Sequence, residues 1–105
     1  MKSGAILAVL MLGVQEAPPE TSDEIVVIAR RVRSISATVG RDPQGRYHCA
    51  LSTTTGRPSL DDRLCRAATD CTRRNPRDAA AVNRCIEQRK AGLMRRVRRE
   101  LEARP

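Results

Sequence analysis

The sequence predicts a small α+β domain: an antiparallel sheet, made of a β-hairpin and an N-terminal strand, packed on two α-helices and stapled by disulfides. Three observations predict it. Two short runs with period-two alternation flank a turn-rich loop, and two longer runs with helical spacing follow them. Four cysteines stand in a chain of 105 residues that has no Trp, no Phe and a single Tyr. Large aromatic side chains supply much of the buried area of small cores, so a chain this short and this poor in them needs another source of stability. The same figures exclude a multidomain enzyme, a multi-span membrane protein and a disordered tail.

The N-terminus predicts export. Lys2 precedes an uncharged apolar run of 11 residues, Gly4 to Val14. Crossing a bilayer takes about 20 apolar residues, whereas a positive start and a short apolar stretch read as a secretory signal. Residues 1–17 are therefore expected to be a signal peptide ending at Ala17, residues 18–23 a polar linker, and residues 24–105 one domain. The compartment is periplasmic or extracellular.

The elements follow in order. Residues 25–28 (Ile25, Val26, Val27 and Ile28) are apolar and β-branched, which predicts the first strand. Ile35, Ala37 and Val39 alternate with Ser34, Ser36 and Thr38, predicting a strand over 33–39. Gly40, Asp42, Pro43 and Gly45 mark a loop. Tyr47, Cys49 and Leu51 then alternate with His48, Ala50 and Ser52, predicting a strand over 47–51 that closes the hairpin. Ser59 supplies a helix cap, and Asp61 and Asp62 place negative charge in the first turn. Leu60, Leu64, Ala68 and Cys71 share one face of a helix over 60–73. Asn75 and Pro76 end it and start the next. Val82, Ile86, Leu93, Val97 and Leu101 form an apolar stripe, interrupted by Lys90 and softened by Gly92, on a helix over 78–101.

Cys49, Cys65, Cys71 and Cys85 have 15, 5 and 13 residues between them. Zinc sites draw ligands from closely spaced pairs; these spacings and the single His do not supply them, so no metal is expected. In an oxidising compartment an even number of cysteines reads as a disulfide framework, with three possible connectivities. An antiparallel helix hairpin centred on Asn75 would set Cys65 opposite Cys85, leaving Cys49 for Cys71.

Charge is uneven. Residues 18–72 carry eight Arg and seven acids, whereas residues 73–105 carry eleven Arg or Lys and four acids. Arg95, Arg96, Arg98 and Arg99 are the densest part. Such a face either meets an anionic partner or is simply solvated; 18 of the 20 basic residues are Arg, a compositional bias that favours the second reading. Among anionic partners a membrane surface fits better than nucleic acid, because single-strand recognition needs stacking aromatics. Catalysis has little to work with. His48 and Cys49 are strand neighbours and point to opposite faces, Asp61 and Asp62 suit a helix start, and no phosphate-cradling glycine loop is present. No catalytic residue, cofactor or small-molecule substrate is expected.

Residues 34–65 resemble part of the C-terminal domain of TonB-type energy transducers. The strand 34–39, the Asp42 to Arg46 loop of "DxxGR" character, the strand 47–51, the Thr54, Thr55, Gly56 turn and the Leu60, Asp61 helix start follow in that family's order. Some members carry a cysteine on the second strand and another in the helix; the resemblance thus implies a Cys49–Cys65 bond, which leaves Cys71 for Cys85, and this pairing is preferred. The family's first strand and helix, its proline-rich spanner and its terminal strand are missing here, so the resemblance implies a shared fold fragment and not energy transduction. Residues 23–29 are similar to the "TonB box" of TonB-dependent receptors, a segment that pairs as an added strand; this implies partner-strand pairing through Ile25, Val26, Val27 and Ile28. The combined expectation is an exported, non-enzymatic envelope protein, monomeric or dimeric, serving as a protein-interaction or structural module. The alternative is a polyanion- or membrane-surface-binding protein acting through its basic C-terminal helix.

Overall fold

A computed structural model describes residues 19–104; the expected signal peptide, residues 1–17, lies outside them. The elements are α1 (Pro19–Ser34), β1 (Ala37–Arg41), β2 (Tyr47–Leu51), α2 (Pro58–Arg74) and α3 (Ala79–Glu102). The α+β class, the hairpin and both later helices are as the sequence predicts.

The first element differs. Residues 25–28 belong to α1, not to a strand, and the sheet has two strands. The cause is a helical spacing that the β-branched composition obscures. Ile25, Ile28, Val32 and Ile35 recur at steps of three and four, and all four are buried; burying one helical face outweighs a propensity difference of a few tenths of a kcal/mol per residue. Val26 and Val27 fall on the other side, 51% and 43% exposed. A helical backbone satisfies its own hydrogen bonds, so residues 25–28 as folded cannot pair as a strand with a partner. The helix begins at Pro19, so most of the expected linker is helical too, and β1 starts at Ala37 where a strand from residue 33 is predicted.

The hairpin is antiparallel with Ala37 opposite Leu51 and Arg41 opposite Tyr47. Asp42 builds its turn: Oδ1 accepts the backbone N–H groups of Gln44 and Arg46, each at 2.9 Å. Gly45 sits at φ 84°, where a side chain is strained. Ala37, Val39, Tyr47, Cys49 and Leu51 form the half-buried face, and the even-numbered strand residues, with Arg41 at the turn end, are exposed. The half-buried face lies on α2, to which Cys49–Cys65 bonds it.

Helices α2 and α3 form an antiparallel hairpin joined across its closed end by Cys71–Cys85. The two bridges are the pairing preferred from the TonB resemblance; the Cys65–Cys85 and Cys49–Cys71 alternative does not form. Each spans 5.7 Å between Cα atoms, within the ordinary disulfide range. The caps also differ from expectation. Arg57 is the N-cap of α2 and makes no side-chain cap bond, with Pro58 in the first turn. Asp78, not Asn75, caps α3 by accepting Ala81 N–H at 3.0 Å; Asn75 instead closes α2, its Nδ2 donating to the Cys71 carbonyl.

Helix α1 runs antiparallel to α3. Its first turns are tied to the far end of α3 by Glu24–Arg104 (2.6 Å), and its last residues meet the middle of α3. The core is formed by Ile25, Ile28, Val32 and Ile35 from α1 and its end, Leu60 and Leu64 from α2, and Val97 and Leu101 from α3. Lys90 does not break the α3 stripe. It is 8% exposed, and its Nζ donates to the Ile35 carbonyl at 2.7 Å and lies 3.1 Å from Glu87.

Candidate functional site

Among the open surfaces of the described residues, two are built by elements whose lengths and register explain them. The first is a slot of ≈ 430 Å³ between β1 and the closed end of the helix hairpin, lined by Ala37, Thr38 and Val39 on one side and, on the other, by the apolar Ala79, Val82 and Ile86 among the polar residues of the α2–α3 turn. Its origin lies in lengths. Helix α3 has 24 residues and α1 has 16, and α1 ends level with Lys90. Val97 and Leu101 are therefore buried beneath α1, and Leu93 packs half-buried against the same core, whereas Val82 and Ile86, on the same stripe, are half-buried outside it. No Cα atom of β1 comes within 8 Å of one in α3.

The strand register decides which backbone groups face the slot. The bonds Asp42 N–H to the Arg46 carbonyl and Ser52 N–H to the Ser36 carbonyl, both 2.9 Å, bracket the ladder. Antiparallel pairs alternate between bonded and non-bonded, so residues 36, 38, 40 and 42 bond to β2. Ala37, Val39 and Arg41 turn their N–H and C=O outward along the free edge. Natural sheets blunt such edges with charged side chains, Pro or bulges; β1 has one charge, Arg41 at its turn end, and none of these devices over Ala37 to Val39, the part that lines the slot.

The second surface is a groove of ≈ 410 Å³ between α2 and α3, lined by Arg63, Arg66, Arg89, Arg95 and Arg96 with Gln88, Gly92 and Leu93. Of the four arginines that the sequence singles out, the structure brings Arg95 and Arg96 into this groove and leaves Arg98 and Arg99 exposed outside its lining. Arg63, Arg66 and Arg89 are missed in the sequence reading. The Cys71–Cys85 register gives the missing signal: counting outward from that bridge sets Arg66 beside residue 90 and Arg63 beside residue 93.

Polar clusters outside the two surfaces hold the loops. Asp61 accepts Thr55 N–H at 2.8 Å and the Thr55 hydroxyl at 2.6 Å, and it also bonds the Thr54 hydroxyl. Burial pushes this carboxyl up, and the hydrogen bonds from Thr54 and Thr55 outweigh burial and hold it below the usual range. Arg31 reaches from α1 to the Thr55 carbonyl at 2.9 Å. Asp42 is held low chiefly by its bond to His48 Nε2 at 2.7 Å, then by Arg46 N–H. His48 is thus engaged at the hairpin turn, exposed, and on the opposite face from Cys49. Tyr47 has the guanidinia of Arg41 and Arg73 each 5.2 Å from its ring centroid. Among the described residues no three His, Cys, Asp or Glu side chains gather as a metal site.

Protein-family models, curated proteins and solved structures yield no match to this chain. What the fold and its surfaces define is a small α+β domain cross-linked by two disulfides, which are consistent with an oxidising compartment. Its described residues include the open edge of β1 and an arginine-lined groove.

Proposed function

We propose that the protein is an exported, non-enzymatic module of the cell envelope that works by binding another protein through its β1 edge. A partner's extended segment adds to β1 as a third strand, and its inward side chains cover Val82 and Ile86. Main-chain hydrogen bonds then supply affinity and the apolar strip supplies selectivity. The observation that carries this reading is the coincidence of the outward backbone groups of Ala37 and Val39 with the uncovered start of the α3 stripe. The two disulfides and the short apolar N-terminal run support a periplasmic or extracellular setting. The hairpin, the Thr54, Thr55, Gly56 turn and the Cys49–Cys65 bond support kinship of fold with the TonB C-terminal domain. The non-enzymatic reading rests on the engagement of all four cysteines in bridges and of His48 with Asp42.

Ala37→Pro tests the reading. Proline removes an outward N–H that β2 does not use, a position sheets tolerate. In pull-downs from native envelope extract the variant is expected to keep its helical circular dichroism and lose the partner that the unaltered protein retains. A partner list unchanged by Ala37→Pro contradicts the proposal.

A further inference from the structure

The arginine groove is a separate surface, and the chain's own carboxylates neutralise only part of its charge. Arg63 lies 3.4 Å from Glu100, Arg66 lies 2.6 Å from Asp62, and Arg89 lies 2.9 Å from Asp70. Among the described residues, no carboxylate lies within 4 Å of Arg95 or Arg96, nor of the neighbouring Arg98 and Arg99. Arg95 folds back over the bare backbone of Gly92: a Cβ there would meet an Arg95 guanidinium nitrogen at 3.6 Å. A charged group resting on a glycine, with no counter-ion from the chain, points at a ligand that brings the negative charge.

We infer that this groove is a phosphate site, and that its occupant is the head-group layer of an anionic membrane. Guanidinia match phosphate oxygens in paired hydrogen bonds, and the arginines stand in two rows on antiparallel helices, so several head groups are met at once. The occupant needs no aromatic platform, and none lines the groove. Nucleic-acid strands are gripped by stacking as well as charge, and the one tyrosine lies outside the groove. In this arrangement α3 lies along the surface and does not cross it: no described helix is long and apolar enough to span a bilayer. This surface is distinct from the β1 edge, so the protein can sit on a membrane while its sheet edge holds a partner.

The test is co-sedimentation of the mature chain with vesicles of phosphatidylcholine alone or mixed with phosphatidylglycerol. The charge-matched comparison is Arg95→Gln/Arg96→Gln against Arg30→Gln/Arg33→Gln, which removes two exposed arginines of α1. Binding is expected only to the mixed vesicles, weakening as salt shortens the electrostatic range. At about a fivefold loss per basic residue near the surface, the groove variant should bind about thirtyfold less tightly, the α1 variant clearly less affected. Soluble glycerol phosphate at millimolar concentration should not compete; competition would assign the groove to a free phosphate ester and overturn the membrane assignment. Equal losses in the two variants would show diffuse attraction and overturn the site. Absent vesicle binding, or tighter binding to duplex DNA or polyglutamate than to the mixed vesicles, would overturn the proposal. Urea unfolding of both variants shows whether the fold is retained, and Ala37→Pro should leave vesicle binding unchanged.

Discussion

Lys90 Nζ donates to the Ile35 carbonyl at 2.7 Å, across 55 residues of sequence. The contact sets the cation of α3 against the C-terminal end of α1, where carbonyls lack helical partners and the helix dipole favours positive charge. It ties the end of α1 to the middle of α3, one helical turn beyond Ile86, which lines the β1 slot.

Lys90→Met keeps the apolar stem and removes the donor. A buried hydrogen bond to a charged group is worth about 1.5–3 kcal/mol, and the variant should lose stability in that range in urea titrations. Amide exchange should quicken first in the last turn of α1. A variant as stable as the parent would mean that the carbonyl is satisfied equally well by water.

Gly56 stands at φ 86° with Arg31 Nη1 only 2.6 Å from where a Cβ would lie. Gly56→Ala should cost about 1 kcal/mol from the backbone alone and displace Arg31 from the Thr55 carbonyl. Adding Arg31→Ala should relieve the crowding and not the backbone strain. Urea unfolding of the two single variants and the double variant separates these effects.

The acid response follows from Asp42, Asp61 and Asp70, each held below the ordinary value of 3.8 in the fold. For Asp70 the leading cause is the hydrogen bond from Arg89. A depressed folded value means that the unfolded chain takes up protons first as pH falls. Stability from these groups is fully present above pH 3.8 and drains away as pH falls through the depressed values. Melting temperatures should be flat from neutrality down to that point and then drop. Asp61→Asn should lower stability at neutral pH by about 1 kcal/mol and soften the acid drop; an unaltered drop would show that Asp61 contributes nothing to it.

The hairpin was legible because alternation and turn chemistry act locally: Tyr47 to Leu51 reads as a strand whatever surrounds it, and Asp42 with Gly45 builds its turn without help. The two later helices were legible from their stripes. The role of residues 25–28 was not, because four apolar residues in a row fit a strand and a helix equally; only the spacing that runs on to Val32 and Ile35 separates the two. Lys90 looked like an interruption because its partner is a backbone carbonyl, which no side-chain pattern announces. The arginine groove was half legible: Arg95 and Arg96 stood out by density, while Arg63, Arg66 and Arg89 join them only once Cys71–Cys85 sets the helix register.

Each disulfide holds a different part. Replacing Cys71 and Cys85 by alanine should free the first turns of α3, which α1 does not cover, and replacing Cys49 and Cys65 should free the hairpin. Bridges closing loops of this length stabilise by about 3 kcal/mol each. Hydrogen exchange should rise over residues 75–86 in the first variant and over 37–51 in the second.

The most direct measurement is the intact mass of the protein taken from its native compartment, before and after reduction, with peptide mapping of the unreduced chain. Two bridges predict a mass lower by four hydrogens than the reduced form, with linked peptides joining Cys49 to Cys65 and Cys71 to Cys85. A chain recovered folded with four free thiols, or linked as Cys65 to Cys85, would contradict it.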